Sequence, residues 1–225
     1  MPDDRTPDDP PVLHERRGPV AHVTMNRPRY RNAQNSAMTY ALDDACYRAA
    51  EDPEVKVVVL AGAGEHFSAG HDIGSPGRDA HLPFERRPGL WWDHTGRPRA
   101  ESRFARESKV YPGMRRRRRE LPKPVIARDR MAARRPYEVG MVNRVVPDSE
   151  LAAETERPAL RIAGMPAFGP ALTKRAVNQA EDLQGLHTGM DSVFGPHHLA
   201  HAHNAETAAD SLGGVDIAAL KEANT

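Results

Sequence analysis

The apolar run from Val55 to Leu60 constrains the fold of this chain more than any other feature. Its sequence, VKVVVL, holds one lysine among five apolar residues. A nearly continuous apolar run dominated by valine favours a strand that is buried on both faces, as in a parallel sheet covered by helices. Asp52 and Pro53 precede the run, and the proline ends any helix that comes before it. We therefore expect a central, buried strand at this position.

The elements expected before this strand are a pair of strands and one helix. Val12–Glu15 and Val20–Met25 have the composition of short strands, and the turn Arg17-Gly18-Pro19 joins them. In Ser36–Ala50, apolar residues recur at steps of three and four, which predicts an amphipathic helix with Ser36 as its N-cap. The order is therefore two strands, a helix and a buried strand.

The second half of the chain is predicted to be mostly helical. Val125–Ala127 opens another strand, and Met141–Val146 has the composition of a further short strand. Ala171–Ala180 and Met190–Ala209 are expected to be helices. Between the two halves, residues 74–113 are rich in Gly, Pro, Arg and Asp, which is typical of a variable binding loop or a disordered segment.

Composition excludes several classes of protein. Lys and Arg (32) nearly balance Asp and Glu (31), so the net charge of +1 argues against a general binder of polyanions. A single cysteine excludes an intrachain disulfide and a cysteine-rich metal site, and it favours a reducing, cytoplasmic setting. The sequence has no run of about 18 apolar residues, so no membrane span is predicted. Residues 1–11 are acidic and proline-rich, which predicts a disordered tail and not a signal peptide.

The turn Phe67–Ile73, FSAGHDI, carries the strongest chemical signal. Ala69 and Gly70 are small, so a ligand carbonyl could approach their backbone N–H groups closely. Backbone donors aimed at a developing oxyanion lower a reaction barrier by several kcal/mol, roughly 2.7–4 for one donor in a protease. On this local pattern alone, an ordinary strand-to-helix turn is the alternative.

Five separated motifs resemble the enoyl-CoA hydratase (crotonase) family, in the family's own order. They are Asn26–Pro28 with Asn32–Ala33, Val55–Leu60, Gly62–Ile73, Leu121–Ala127 and Tyr137–Pro147. The resemblance extends from Val12 to about Leu212. It implies an α/β fold, a crotonase-like spiral of β-β-α units, with residues 12–127 as the N-terminal part of the core. Residues 128–225 would be a helical C-terminal region that assembles a homo-trimer or hexamer.

The resemblance also implies a function and a set of site residues. Family members act on acyl-CoA thioesters, and the leading function is that of a lyase that hydrates 2-enoyl-CoA; coenzyme A is part of the substrate, so no separate cofactor is implied. The backbone N–H of Ala69 would be the first oxyanion donor. For Arg29 and Arg31 a solvated loop is the alternative role. The residues expected to contact the substrate or CoA are Arg29, Tyr30, Arg31, Ser68, Ala69, Gly70, His71, Asp72 and Ile73.

The sequence departs from the family after Ala127. No glycine lies between Ala127 and Val139, so the family's second glycine-rich donor turn is absent, and the family's catalytic glutamates have no counterparts here. We interpret this as the excision of several dozen residues, which leaves the core incomplete and predicts impaired hydration. A second hypothesis is therefore a non-catalytic, acyl-CoA-binding or subunit-mixing protein. Exposed apolar surface would then cause marginal stability or aberrant association.

Three other clusters have less specific interpretations. The run Arg115–Arg119 could contact nucleic acid, but without interleaved aromatic residues it favours a solvated face, and no nucleic-acid partner is predicted. His197 and His201 lie four residues apart on one predicted helical face, yet no carboxylate completes a ligand set at tight spacing, so no metal site is predicted. Trp91-Trp92 could cover an acyl chain or anchor the loop on the core.

Overall fold

In the computed structural model of this protein, four strands of the described part of the chain form one mixed sheet, in the order β1-β2-β3-β4. The strands are β1 (Val12–Arg17), β2 (Val20–Met25), β3 (Val57–Gly62) and β4 (Val125–Arg128). The first two strands pair antiparallel as a hairpin, whereas β3 pairs with β2, and β4 with β3, in parallel. The predicted hairpin and the two later strands are therefore confirmed, with small shifts of their ends.

Among the residues that the structure describes, six α-helices accompany the sheet. They are α1 (Ser36–Glu51), α2 (Met114–Glu120), α3 (Arg134–Glu138), α4 (Leu151–Ala163), α5 (Phe168–Leu183) and α6 (Leu186–Thr207). A π-helical segment leads into α2, and one turn of 3-10 helix precedes α4. The mixed sheet with C-terminal helices matches the predicted crotonase-like α/β fold.

The structure describes residues 9–72, 104, 105, 107–128 and 134–207. Three predictions lie wholly or mostly outside these residues: the site role of Ile73, the loop at 74–113 with its two tryptophans, and the tail at 1–11. The proposed excision after Ala127 is also untested, because residues 129–133 are not described.

The predicted buried strand is confirmed in β3. Val57, Val58 and Val59 are each at most 1% exposed. Successive side chains alternate between the two faces of the sheet, so Val58 packs in the cluster that includes Met38 and Leu42 of α1. Val57 and Val59 pack on the other face, in the cluster that includes Ala159 and Ala163 of α4. A helix on each face explains why β3 has an unbroken apolar sequence.

Two local predictions are wrong. The N-cap of α1 is Asn35 and not Ser36: the Asn35 side chain accepts a hydrogen bond from the Met38 N–H at 3.0 Å, while Ser36 is buried as the first helical residue. The expected strand at Met141–Val146 has no strand structure. Within the described residues it pairs with no other strand, and an unpaired apolar segment cannot complete the hydrogen bonds of a sheet.

The described residues divide into two units. The first contains residues 9–72, 118–128 and 134–176, with the sheet, α1, α3 and α4; the second contains the described residues within 104–117 and 177–207. In the second unit, Phe104, Phe194 and His198 have ring centroids 4.7–5.4 Å apart, a tilted aromatic cluster. None of the helices among the described residues is long and apolar enough to cross a membrane.

Lys123 joins the segment before β4 to the end of α1. Its ammonium group donates to the carbonyls of Ala49 at 2.7 Å and Asp52 at 2.6 Å. These carbonyls belong to the last turn of the helix and to its C-cap, where they lack intrahelical partners and a cation is favourable. Burial lowers the pKa of Lys123. The lysine of the Leu121–Ala127 motif therefore has a structural role.

We expect Lys123→Met to lower the free energy of unfolding by about 1–3 kcal/mol, since two charge-assisted hydrogen bonds to helix carbonyls are lost. Urea unfolding followed by circular dichroism measures the change. Lys56→Met is the matched control: Lys56 is exposed, and its substitution should change stability by less than about 0.5 kcal/mol. Equal losses in the two variants would contradict the capping role.

The stability of the first unit should depend on pH through His22. Burial lowers the pKa of His22, and Glu156, whose carboxylate lies 3.3 Å from the imidazole Nε2, offsets this only in part. The unfolded histidine binds a proton near pH 6.5, whereas the folded one binds it only at a lower pH. The contribution of His22 to the free energy of unfolding is therefore fully present above about pH 6.5 and is lost as the pH falls below that value. His22→Gln should flatten this fall in urea-unfolding midpoints, whereas His66→Gln, at an exposed side chain, should not.

Candidate active site

The candidate site lies where β2 and β3 end. These strands are parallel, and the last residue of β2, Met25, pairs with the last residue of β3, Gly62. The two segments that follow the strands therefore leave the same edge of the sheet. The carboxyl edge of a parallel sheet is where ligands of α/β proteins commonly bind. One segment contains Arg29–Arg31, and the other contains the turn around Gly70.

Asn32 holds the two segments together. Its side-chain Oδ1 accepts the Arg27 N–H at 2.8 Å, and its Nδ2 donates to the carbonyls of Ala63 at 2.9 Å and His66 at 2.6 Å. Asn32 is fully buried and has a φ of 54°, which asparagine tolerates better than most residues. The asparagine of the predicted motif thus satisfies backbone groups of both segments.

Gly62 allows this close approach. A Cβ atom at this position would lie 2.3 Å from the His66 carbonyl oxygen and 2.7 Å from Asn32 Nδ2. No side chain can therefore replace the hydrogen without moving the backbone or the asparagine. The glycine at the end of the buried strand is required by packing and not by its own φ.

A buried ion pair joins the start of the first segment to the end of the turn. Arg27 Nη1 lies 2.8 Å from Asp72 Oδ2 and 2.6 Å from the Ala33 carbonyl oxygen. The two charged side chains are only 4% and 7% exposed. The guanidinium also lies 4.5 Å from the centroid of the Tyr30 ring, a cation–π contact. Asp72 thus fixes the turn from inside.

The turn itself is a short strand-like segment bound to Gln34. The Gln34 N–H donates to the Gly70 carbonyl at 2.7 Å, and the Asp72 N–H donates to the Gln34 carbonyl at 3.1 Å, which makes a parallel bridge between Gln34 and His71. Gly70 has a φ of +88°, which side chains disfavour. Ser68 Oγ donates to the Asn32 carbonyl and accepts the Gly70 N–H. Ala69, Gly70 and His71 are exposed at the surface of this braced turn.

The N–H of Ala69, the predicted oxyanion donor, donates to the Arg31 carbonyl at 2.8 Å. A thioester oxygen would have to displace that carbonyl before Ala69 could stabilise it, so the role of Ala69 stays a prediction. In a parallel bridge, the central residue directs its own N–H away from the partner segment. The N–H of His71 therefore points away from Gln34, on the other side of the turn from the bridge.

The other predicted contact residues have different environments. Arg29 and Arg31 are exposed, and Arg31 has a φ of 49°. Tyr30 is half-buried, with its ring against Arg27. The structure brings these residues next to the turn through the Ala69–Arg31 hydrogen bond. Their role in binding CoA stays a prediction.

A cleft of about 180 Å³ opens at the same edge of the sheet, inside the first unit. It lies between the ends of the parallel strands and the beginning of α4. Arg128, the last residue of β4, and Asp148, just before α4, bring charged side chains to its lining. Its lining residues are Thr24, Gly62, Ala63, Gly64, His66, Phe67, Arg128, Asp148, Leu151 and Ala152.

Sequence reasoning missed the residues that brace the turn. Arg27 and Gln34 were not assigned a role, and Asp72 was assigned to the substrate although its carboxylate faces Arg27. The pairing of one arginine at a strand exit with one aspartate 45 residues later is invisible without the fold. Arg128 was also missed, although a charged residue that ends an apolar strand was a usable signal.

The histidine and arginine clusters form ion pairs among the described residues. No group of three His, Cys, Asp or Glu residues there could hold a metal ion. His198 Nε2 lies 3.1 Å from Glu107 Oε2, and His197 Nε2 lies 4.0 Å from the same atom, within the second unit. In the arginine run, Arg116 pairs with Asp191.

Comparisons with known proteins agree with this fold. The enoyl-CoA hydratase/isomerase family model matches residues 15–84. EchA13 of Mycobacterium tuberculosis, whose name assigns it to the enoyl-CoA hydratases, is 28% identical over 258 aligned positions, which cover 87% of this chain and 81% of EchA13. Other curated enoyl-CoA hydratases match over 63–77 residues, about a quarter to a third of their own length.

Two crystal structures are similar over most of the chain. A probable enoyl-CoA hydratase from Mycobacterium smegmatis has a TM-score of 0.73 and 28% identity, over 89% of this chain and 98% of its own. A probable enoyl-CoA hydratase from Mycobacterium thermoresistibile has a TM-score of 0.71 and 30% identity, over 86% of this chain and 97% of its own. The chain belongs to the enoyl-CoA hydratase/isomerase (crotonase) family.

We expect Asp72→Asn to lower the free energy of unfolding by about 3 kcal/mol, because it leaves the Arg27 charge buried without its partner. Chemical unfolding measures the loss. Asp44→Asn is the control, since Asp44 pairs with Arg48 at the exposed surface of α1 and its loss should cost under about 0.5 kcal/mol. If the two substitutions have equal effects, the Arg27–Asp72 pair does not brace the turn.

Proposed function

We propose that this protein binds acyl-CoA thioesters at the turn of residues 68–72 and that its lineage performs enoyl-CoA hydratase chemistry, the addition of water to a 2-enoyl-CoA. The observation that carries the proposal is the braced, exposed turn. Gly70 and its neighbours lie at the surface, while Asn32, Gln34, Ser68 and the Arg27–Asp72 pair hold them from below. A donor that is fixed before the ligand arrives stabilises an oxyanion without a cost of reorganisation.

The two donors of this turn are not equivalent in the proposal. Ala69 donates to Arg31 and could serve only after that bond opens. His71 lies at the centre of the bridge, with its N–H directed to the opposite side. We therefore propose that either Ala69 or His71 provides the first donor, with Ala69 requiring a movement of Arg31.

Hydration by this chain is proposed to be slow. The sequence after β4 lacks the second glycine-rich donor turn and the pair of catalytic carboxylates that the family uses. The alignment with EchA13 has 258 positions, more than the 225 residues of this chain, so it includes positions at which this chain has no residue. Losing one donor costs about 10²–10³ in rate, and general acid–base help supplies another 10²–10⁴.

A second candidate function is a non-catalytic acyl-CoA-binding or subunit-mixing protein. The carboxylate within the turn favours it: Asp72 is engaged by Arg27, so it is not positioned to activate a water molecule. Under this proposal, thioester binding is retained while turnover is lost.

Calorimetric titration with butyryl-CoA, beside a hydration assay with crotonyl-CoA, separates the two candidates. We expect binding, together with turnover at least about 10³-fold below that of a full-length relative. Turnover near that of the relative would refute the impairment, and absence of binding would refute acyl-CoA recognition.

Gly70→Val provides a site-directed test: it should weaken binding because valine disfavours a φ of +88°. Gly18→Val is the matched control: at a φ of +56° in the β1–β2 hairpin, it introduces backbone strain away from the turn and should leave binding unchanged.

We also propose that the C-terminal helices assemble copies of the chain into a trimer or hexamer, in a reducing, cytoplasmic compartment. Large apolar side chains are exposed on α5 and α6, among them Phe168, Leu172, Leu183, Val193 and Leu199. Exposed apolar surface of this kind is typical of interfaces or of aggregation. The single cysteine, Cys46, is buried and free, as suits a reducing compartment. Light scattering of the purified chain should give a mass three or six times that of the monomer, or polydisperse association; a monomer would contradict assembly.

A further inference from the structure

A row of side chains crosses the sheet at its carboxyl edge, on the face that α4 covers. Thr24 of β2 pairs with Ala61 of β3, and Ala61 pairs with Arg128 of β4. Arg128 is two residues after Ile126, which packs in the cluster of α4, so both side chains leave the same face. The cleft of about 180 Å³ lies between this row and the first turn of α4.

The charge distribution in the cleft favours an anion. Arg128 is half-buried and always charged, whereas Asp148 and His66 are exposed at the mouth. The other half-buried groups of the lining, Thr24 and Phe67 among them, carry no charge. Within the described part of the chain, the Arg128 guanidinium forms no ion pair with a carboxylate. A partly desolvated guanidinium gains most from a bidentate carboxylate partner.

We propose that Arg128 makes this cleft the subsite for a short acyl chain that ends in a carboxylate. The inference rests on the proposed function, since the chain in question belongs to the thioester held at the turn. His66 and Phe67, which line the cleft, directly precede Ser68 at the start of the turn, so the two sites are adjacent.

The dimensions and the neighbouring helix agree with such a ligand. The cleft is smaller than the roughly 300–1,000 Å³ of pockets for drug-sized molecules, so it suits a chain of a few carbons. Leu151 and Ala152, in the first turn of α4, line it with the positive end of a 13-residue helix. Asp148 opposes an anion, but it lies at the exposed mouth, where solvent screens its charge.

The test compares two thioesters of equal chain length, glutaryl-CoA, which ends in a carboxylate, and pentanoyl-CoA, which ends in a methyl group. We expect calorimetry to show that glutaryl-CoA binds at least about tenfold more tightly than pentanoyl-CoA, because one charge-assisted pair supplies about that gain in affinity. Arg128→Gln should remove this preference and leave the affinity for pentanoyl-CoA within about twofold. Arg161→Gln, at an exposed arginine of α4, is the matched control and should keep the preference.

Equal affinity of the protein for the two thioesters, or a preference that survives in Arg128→Gln, overturns the inference while the proposed function stands. If neither thioester binds, the proposed function fails. Free glutarate then tests the cleft separately: a thermal shift of the protein that Arg128→Gln abolishes supports the carboxylate subsite, and the absence of a shift overturns it. Asp148→Asn gives an independent readout if Arg128→Gln does not fold. It should raise the affinity for glutaryl-CoA slightly, because it removes an opposing charge that solvent already screens, and a fall in affinity would count against the cleft.

Discussion

The buried ion pair between Arg27 and Asp72 is the interaction on which the candidate site depends. It connects Arg27, two residues after the end of β2, to Asp72 near the end of the turn, with both side chains almost fully removed from solvent. A buried pair contributes little net stability compared with apolar packing, but breaking it leaves a charge in a poorly polarisable environment. Its effect is therefore to exclude other positions of the turn. Asn32 and Gln34 extend this constraint to the backbone on both sides.

The constraint has a geometric origin in the sheet. Because β2 and β3 are parallel and in register to their last residues, the segments that follow them begin side by side. Gly62 removes the side chain that would separate them. The site is thus produced by three conditions together: a parallel pair, a glycine at its end and a buried asparagine. Loss of any one of these conditions would separate the two segments that follow β2 and β3.

The sequence predicted the part of the fold that follows from local pattern. The hairpin, α1 and the buried strand depend on periodicity and composition, which any window of the chain displays, and their positions were correct to within a few residues. The strand expected at Met141–Val146 failed because a strand exists only with a partner, which no local pattern specifies. Asn35 and Ser36 are both good capping residues, so the choice between them depended on which side chain the core buries. For the site, the motif located the turn, but the inward direction of Asp72 depends on Arg27, which is distant in sequence.

The connectivity of the sheet has a consequence for how the chain folds. Contacts among β1, β2, α1 and β3 close short loops, because these elements follow one another between residues 12 and 62. β4 must find β3 across a sequence separation of about 60 residues, and the entropy of closing a loop rises with its length. Elements with local contacts generally form before those with distant ones. The nascent chain should therefore build the two segments of the site early, and the row that includes Arg128 should form only after them.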